Sequence, residues 1–184
     1  MFDFYSVFKP AKSKSRWWNL FKTGLQTSVF WLVFLYFIPT GLKQLEVLFE
    51  IISFQPITKI GGLMFIIFSL LGLWSGYTMS WIGKGTPLPM DCPNELVVRG
   101  PYRFLRNPMA TAGIGQGICV GLIMGSYLII FYSLSGAVIW HYLVRPSEEI
   151  DLEKRFGEKY QTYKKNTRCW IPKFKHALNK NRPQ

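Results

Sequence analysis

Two stretches of this chain stay free of charge for longer than the core of a small water-soluble domain requires. Residues 60–82 run for 23 positions without Asp, Glu, Lys or Arg, and residues 110–143 run for 34 if His141 is neutral. A helix needs about 20 apolar residues to cross a hydrocarbon layer roughly 30 Å thick. Lipid offers the backbone no water to bond, so only helices and closed barrels can span it. Barrel strands alternate apolar and polar positions, and these runs do not. The expectation is an all-α protein, an integral membrane helical bundle.

The remaining segments divide around these runs. Residues 1–22 mix Lys9, Lys12, Lys14, Arg16 and Lys22 with Trp17 and Trp18, a combination suited to the headgroup level. Residues 23–38 form a short first span, which the breakers at 39–41 are expected to end. Leu42, Leu45, Phe49 and Ile52 then share a stripe, with Lys43, Glu46 and Glu50 mostly off it, which predicts an interfacial helix over 42–54. Pro56 starts a turn, and 60–82 is the next span. Pro87, Pro89, Pro93 and Pro101 make 83–107 a folded polar connector. The run 110–143 is too long for one span and is expected to break near Gly125 and Ser126 into a hairpin. That gives about four spans in a single membrane domain over 1–184. The C-terminal part is a cytoplasmic helical segment patterned by Ile150, Leu152, Phe156, Tyr160 and Tyr163, ending in a basic tail at 173–184.

A net charge of +12 would suit nucleic acid, but the basic residues lie between the apolar blocks and no nucleic-acid motif accompanies them. They fit anionic headgroups and topology instead. With four spans, twenty of the 22 Lys and Arg fall on the side of the termini and the connector, leaving Lys43 and Lys59 opposite. The bias predicts a multi-pass protein with both termini and the connector cytoplasmic. Cys92, Cys119 and Cys169 show no CxxC spacing, and His141 and His176 stand apart, so no metal site is expected.

The segment RGPYRFLRNPMATAGIGQG, residues 99–117, brings three arginines and the glycines Gly113, Gly115 and Gly117 to the entrance of the long apolar run. Arginine presents a planar fork of donors to carboxylate or phosphate, and close glycines let a ligand approach the backbone. The same glycines would equally serve helix packing. The tail adds Arg145, Glu148, Glu149, Tyr160 and Tyr163, and the topology sends both pieces to one side of the membrane.

Taken together, GPYRFLRNPMATAGIGQG and RPSEEIDLEKRFGEKYQTYKKNTRCWIP resemble the membrane methyltransferases that include isoprenylcysteine carboxyl methyltransferase and the phospholipid N-methyltransferases. The resemblance covers roughly 85–172. It implies S-adenosylmethionine as cofactor, with Gly113 and Gly115 in the family's GxG and Glu148 and Glu149 in its acidic pair. Arg103, Arg106 and Glu149 are the candidates for the donor's charged groups, with Asn107, Pro108, Tyr160 and Tyr163 also lining its site. The family's His-Pro-x-Tyr stands here as Asn107-Pro108-Met109-Ala110, so no phenol is available at Ala110. The acceptor is expected to be lipid-like or hydrophobic, of the prenylcysteine carboxylate or aminophospholipid type. Arg145 would position a carboxylate acceptor, and Glu148 would deprotonate an amine. Two rival readings remain. The run FGEKYQTY followed by Ile171-Pro172 is similar to the ends of sterol reductases, which would use NADPH. A non-catalytic four-span lipid-binding scaffold is the other.

Overall fold

The structure is a computed structural model and describes residues 9–12, 15–87 and 91–172. His176, Lys14, Pro89 and the basic tail at 173–184 lie outside the described residues, as do positions 1–8 of the N-terminal segment.

Regular structure among the described residues is helical: α1 (Arg16–Phe30), α2 (Ile38–Leu48), α3 (Thr58–Ile82), α4 (Pro108–Met124), α5 (Tyr127–Ile139), α6 (Arg145–Phe156) and α7 (Glu158–Asn166). A seven-residue π-helical stretch, Trp31–Phe37, joins α1 to α2, and a second, Trp140–Val144, joins α5 to α6. Three continuous helices are therefore long and apolar enough to cross a membrane: Arg16–Leu48, Thr58–Ile82 and Tyr127–Phe156. The 17 residues of α4 form a shorter apolar helix. This is the all-α bundle of a multi-pass membrane protein.

The expected breaks fare differently. The hairpin turn falls where Gly125 and Ser126 predict it: Gly125 has φ +62°, and the Ser126 hydroxyl caps α5 by accepting from the Ile129 N–H at 3.0 Å. The breakers at 39–41, however, do not end the first helix. Pro39 lies two residues beyond a π-helical stretch, as does Pro146 in the other composite helix. A proline removes one N–H and presses its ring on the carbonyl four residues back. A wider π turn relieves both demands, so the helix continues.

The separate interfacial helix expected over 42–54 is also corrected. Residues 42–48 continue the first helix, and 51–57 carry no helix. Glu46, assigned by pattern to the polar face, is 2% exposed. Its Oε1 accepts from the Ser126 hydroxyl at 2.5 Å and from the Leu128 N–H at 3.2 Å, while Lys43 bonds Oε2 at 2.9 Å. A carboxylate is favoured there because the first N–H groups of α5 have no partner within the helix.

By contact pattern the chain forms two compact units. One contains Gly24–Leu73 and Met109–Val144; the other contains Met1–Thr23, Trp74–Pro108 and Arg145–Gln184. The first unit packs on small residues. A Cβ on Gly115 would stand 2.6 Å from the Phe68 ring, one on Gly61 would meet Ile123 at 2.9 Å, and one on Gly121 would meet Ile130 at 2.5 Å. Gln116 donates to Ser69 at 2.9 Å across the same α3–α4 contact. Helices in lipid associate through such close backbone approach, because burial from water is unavailable to drive it. A Cβ on Gly113, by contrast, would meet nothing within 4 Å and would face open space.

The GxG spacing thus joins two unlike positions. Gly115→Ala should lower the melting temperature in detergent, by about 1–3 kcal/mol of overpacking against Phe68, whereas Gly113→Ala should leave it unchanged or slightly raised. Thermal unfolding of the two purified variants followed by circular dichroism checks the contrast.

Candidate functional site

The second unit holds the arginine-rich connector and the tail helices. Its framework is polar and tightly bonded. Thr23 and Ser80 share a buried hydrogen bond at 2.7 Å between α1 and α3. The connector is pinned by Asn94, whose side-chain amide donates to Ala11 O and Lys84 O, and by the Lys22–Asp91 ion pair. Arg155, held at 2.7 Å by Asp151 one turn earlier on α6, donates from Nη1 to Pro93 O at 2.6 Å. Gly100, at φ +57°, takes the backbone through a left-handed turn beside Thr78, where a side chain would collide.

Beyond that turn, a 3-10 segment, Gly100–Arg103, delivers the chain to the start of α4. Tyr163 of α7 fixes it: the phenol donates to Tyr102 O at 2.6 Å, with Leu105 O at 3.4 Å. The Arg106 N–H donates to Arg168 O at 3.0 Å, and the Asn107 amide meets the Cys169 thiol at 3.4 Å. Pro108, fully buried, opens α4, where its missing N–H costs nothing. Arg106 is thereby aimed at α6.

There it meets Glu149, 9% exposed. Glu149 Oε1 lies 2.9 Å from Arg106 Nη1 and 3.9 Å from Arg145 Nε, and Oε2 lies 2.8 Å from Lys164 Nζ. Lys164 also reaches Glu153 at 2.9 Å. Three cations thus surround one buried carboxylate. The charges are near each other, yet hydrogen bonding is incomplete. Among the described residues, Arg106 Nε and Nη1, Arg145 Nε and Glu149 Oε1 are buried with no hydrogen-bond partner. Leaving such atoms unsatisfied costs about 1–3 kcal/mol each, more when charged, a cost that a ligand bonding to them would offset.

Two tyrosines and a second carboxylate lie around this centre. Tyr160 is buried, packs at 6.2 Å from Tyr163 and bonds Arg106, and burial followed by the nearby Glu149 charge pushes its phenol far above its usual range. Tyr163 is raised likewise, chiefly by burial. Glu148 lies beyond the uncharged part of its helix, which ends at Val144. Burial, then repulsion from Glu149 and Asp151, pushes its carboxyl up to about 7, against an opposing pull from Arg155.

Of the residues singled out in the sequence, Arg106, Arg145, Glu149 and Tyr160 come together, with Glu148 adjacent in sequence. Arg103 is exposed on the 3-10 segment. Tyr163, Asn107 and Pro108 brace the connector. Gly113 and Gly115 belong to the other unit. Lys164 was missed, because one lysine in a basic tail reads as a solvated charge. Its position four residues after Tyr160, hence on the same face of α7, was the available signal.

Residues 57–159, more than half of the chain, match the phospholipid methyltransferase family. No curated protein matches the chain. The matched segment takes in the arginine connector, the glycines and the acidic pair, and it favours methyl transfer over the nicotinamide chemistry of a reductase. Its apolar helices, its buried charge cluster and this match lead to one assignment: the chain belongs to the phospholipid methyltransferase family, membrane methyltransferases acting on lipid-like substrates.

Proposed function

We propose that the protein transfers a methyl group from S-adenosylmethionine to a hydrophobic, lipid-like amine, at a cytoplasmic-side site centred on Glu149. The observation that carries this reading is the set of buried, unbonded atoms on Arg106, Arg145 and Glu149. The amino-acid end of the donor has the complementary groups: a carboxylate for the Nε donors of Arg106 and Arg145, and an ammonium for the Glu149 carboxylate. When bound, the donor supplies a methyl group on a sulfonium sulfur, already activated for displacement. Gly113 remains a candidate donor-binding position by resemblance alone.

The protein's part is then alignment, exclusion of water and removal of a proton. An ammonium acceptor cannot attack until it loses a proton. Glu148, raised to about 7, is poised to accept one near neutral pH. Arg145, whose Nε is given to the donor's carboxylate in this reading, is then not free to hold an acceptor carboxylate as well, which favours an amine over the prenylcysteine type. The cytoplasmic orientation follows from the distribution of Lys and Arg.

Calorimetric titration of S-adenosylmethionine into detergent-purified protein tests the reading. The wild type should bind, and Glu149→Gln, shown folded by circular dichroism, should bind roughly 10- to 100-fold more weakly. A folded wild type that binds no donor overturns the proposal; binding of NADPH instead would restore the reductase, and binding of neither would favour the scaffold.

The pH dependence of Glu148 supplies a second prediction. Its carboxyl is raised from 4.5 to about 7 on folding, so between those values the folded protein holds more proton than the unfolded chain. Stability should therefore fall as pH rises from 4.5 through about 7, then level off. Glu148→Gln should remove that fall, gaining on the wild type in melting temperature as pH is raised from 5 to 8. In the wild type, methylation of an amine acceptor should rise with a midpoint near pH 7.

A further inference from the structure

Among the described residues, Lys164 is the one cation of the Glu149 cluster with a second carboxylate paired to it. Arg106 is nearly buried at its guanidinium and is held by its bond to Tyr160; Arg145 sits one turn before Glu149 on the same helix. Lys164 is different. Its side chain is 38% exposed, and its ammonium lies 2.8 Å from Glu149 Oε2 and 2.9 Å from Glu153 Oε1. Lysine is a point charge on a flexible stem, with no fork that must stay aligned. It can leave Glu149 and remain paired with Glu153. Glu149 would then keep two guanidinium neighbours and stay ionised, with one face of its carboxylate open.

We propose that Lys164 is a placeholder: before the donor binds, its ammonium holds the carboxylate of Glu149 that the donor's α-ammonium takes over, and it retires to Glu153 when the donor arrives. The inference rests on the donor reading above. An ammonium on the protein and an ammonium on the ligand make the same demand on one carboxylate, and two cations there together repel. The exchange keeps the Oε2 side of a buried carboxylate paired with a cation before and after binding. It also makes affinity for the amino-acid end depend on how readily the lysine leaves. Adenosine derivatives without an ammonium leave Lys164 in place, so their affinity does not depend on it.

The test compares two adenosine thioethers by calorimetry on the full chain in detergent: S-adenosylhomocysteine, which carries the α-ammonium and carboxylate, and 5′-methylthioadenosine, which carries neither. Lys164→Met should tighten S-adenosylhomocysteine at least about threefold, the scale of a partly exposed ion pair, with methylthioadenosine unchanged. Glu153→Gln removes the resting place and should weaken S-adenosylhomocysteine by a similar factor, again sparing methylthioadenosine. Opposite movements of the two variants, confined to the ligand with the amino-acid end, establish the exchange. If Lys164→Met weakens S-adenosylhomocysteine or leaves it unchanged while the wild type binds, the lysine is a structural pillar and the proposal fails. Should Lys164→Met not fold, an unchanged affinity in Glu153→Gln alone overturns it. A folded wild type that binds neither thioether removes the donor reading itself.

Discussion

A backbone inside hydrocarbon must bond to itself, and most of what is unusual in this chain follows from that constraint. Proline is the residue least able to comply, and Pro39 and Pro146 both sit within helices that continue past them. Each follows closely on a π-helical stretch. The wider turns convert what would be a break into a continuation, and each continuation carries something the fold uses. Beyond Pro39 lies Glu46, which bonds the start of α5. Beyond Pro146 lie Glu148 and Glu149. Each proline thus precedes, by about two turns at Glu46 and by less than one at Glu148 and Glu149, a carboxylate that the continued helix carries into place.

In the unit that carries the site, the Glu149 cluster ties the tail helices to a connector about forty residues earlier: Arg106 comes from the connector, Arg145 from α6 and Lys164 from α7. Such a cluster is poor evidence of stability, since burying charge is costly even when it is paired. Under the proposed function, its incompletely bonded atoms are the ones the donor would engage. The supporting contacts differ in kind. Tyr163 spends its phenol on backbone carbonyls and Asn107 meets Cys169, so these residues set where Arg106 stands.

The sequence exposes some of this and conceals the rest for physical reasons. Apolar run length gives the bundle, the Gly125–Ser126 pair gives the hairpin, and the two separated motifs bring Arg106 and Glu149 into the same argument before any fold is known. The continuity through Pro39 is hidden, because a π widening leaves no mark in a pattern read at 3.6 residues per turn. Glu46 is misread for a similar reason: its partner Ser126 is 80 residues away, and a charged residue off an apolar stripe ordinarily faces water. Gly113 and Gly115 are equivalent by spacing and opposite in surroundings, since only the Phe68 ring distinguishes them.

The helix Tyr127–Phe156 also acts as a ruler. At 1.5 Å per residue its thirty residues measure about 45 Å, well beyond the hydrocarbon thickness. Glu149 stands five residues past Val144, the last of the uncharged part, or roughly 7 Å along the axis. With the uncharged part ending at the hydrocarbon edge, that step matches the depth of one headgroup layer, half of the difference between the full bilayer and its hydrocarbon core. Under the proposed methyl transfer, a lipid whose reactive atom resides in that layer would meet the site at its own level with its tails still solvated by the leaflet, and extraction from the membrane would form no part of the barrier.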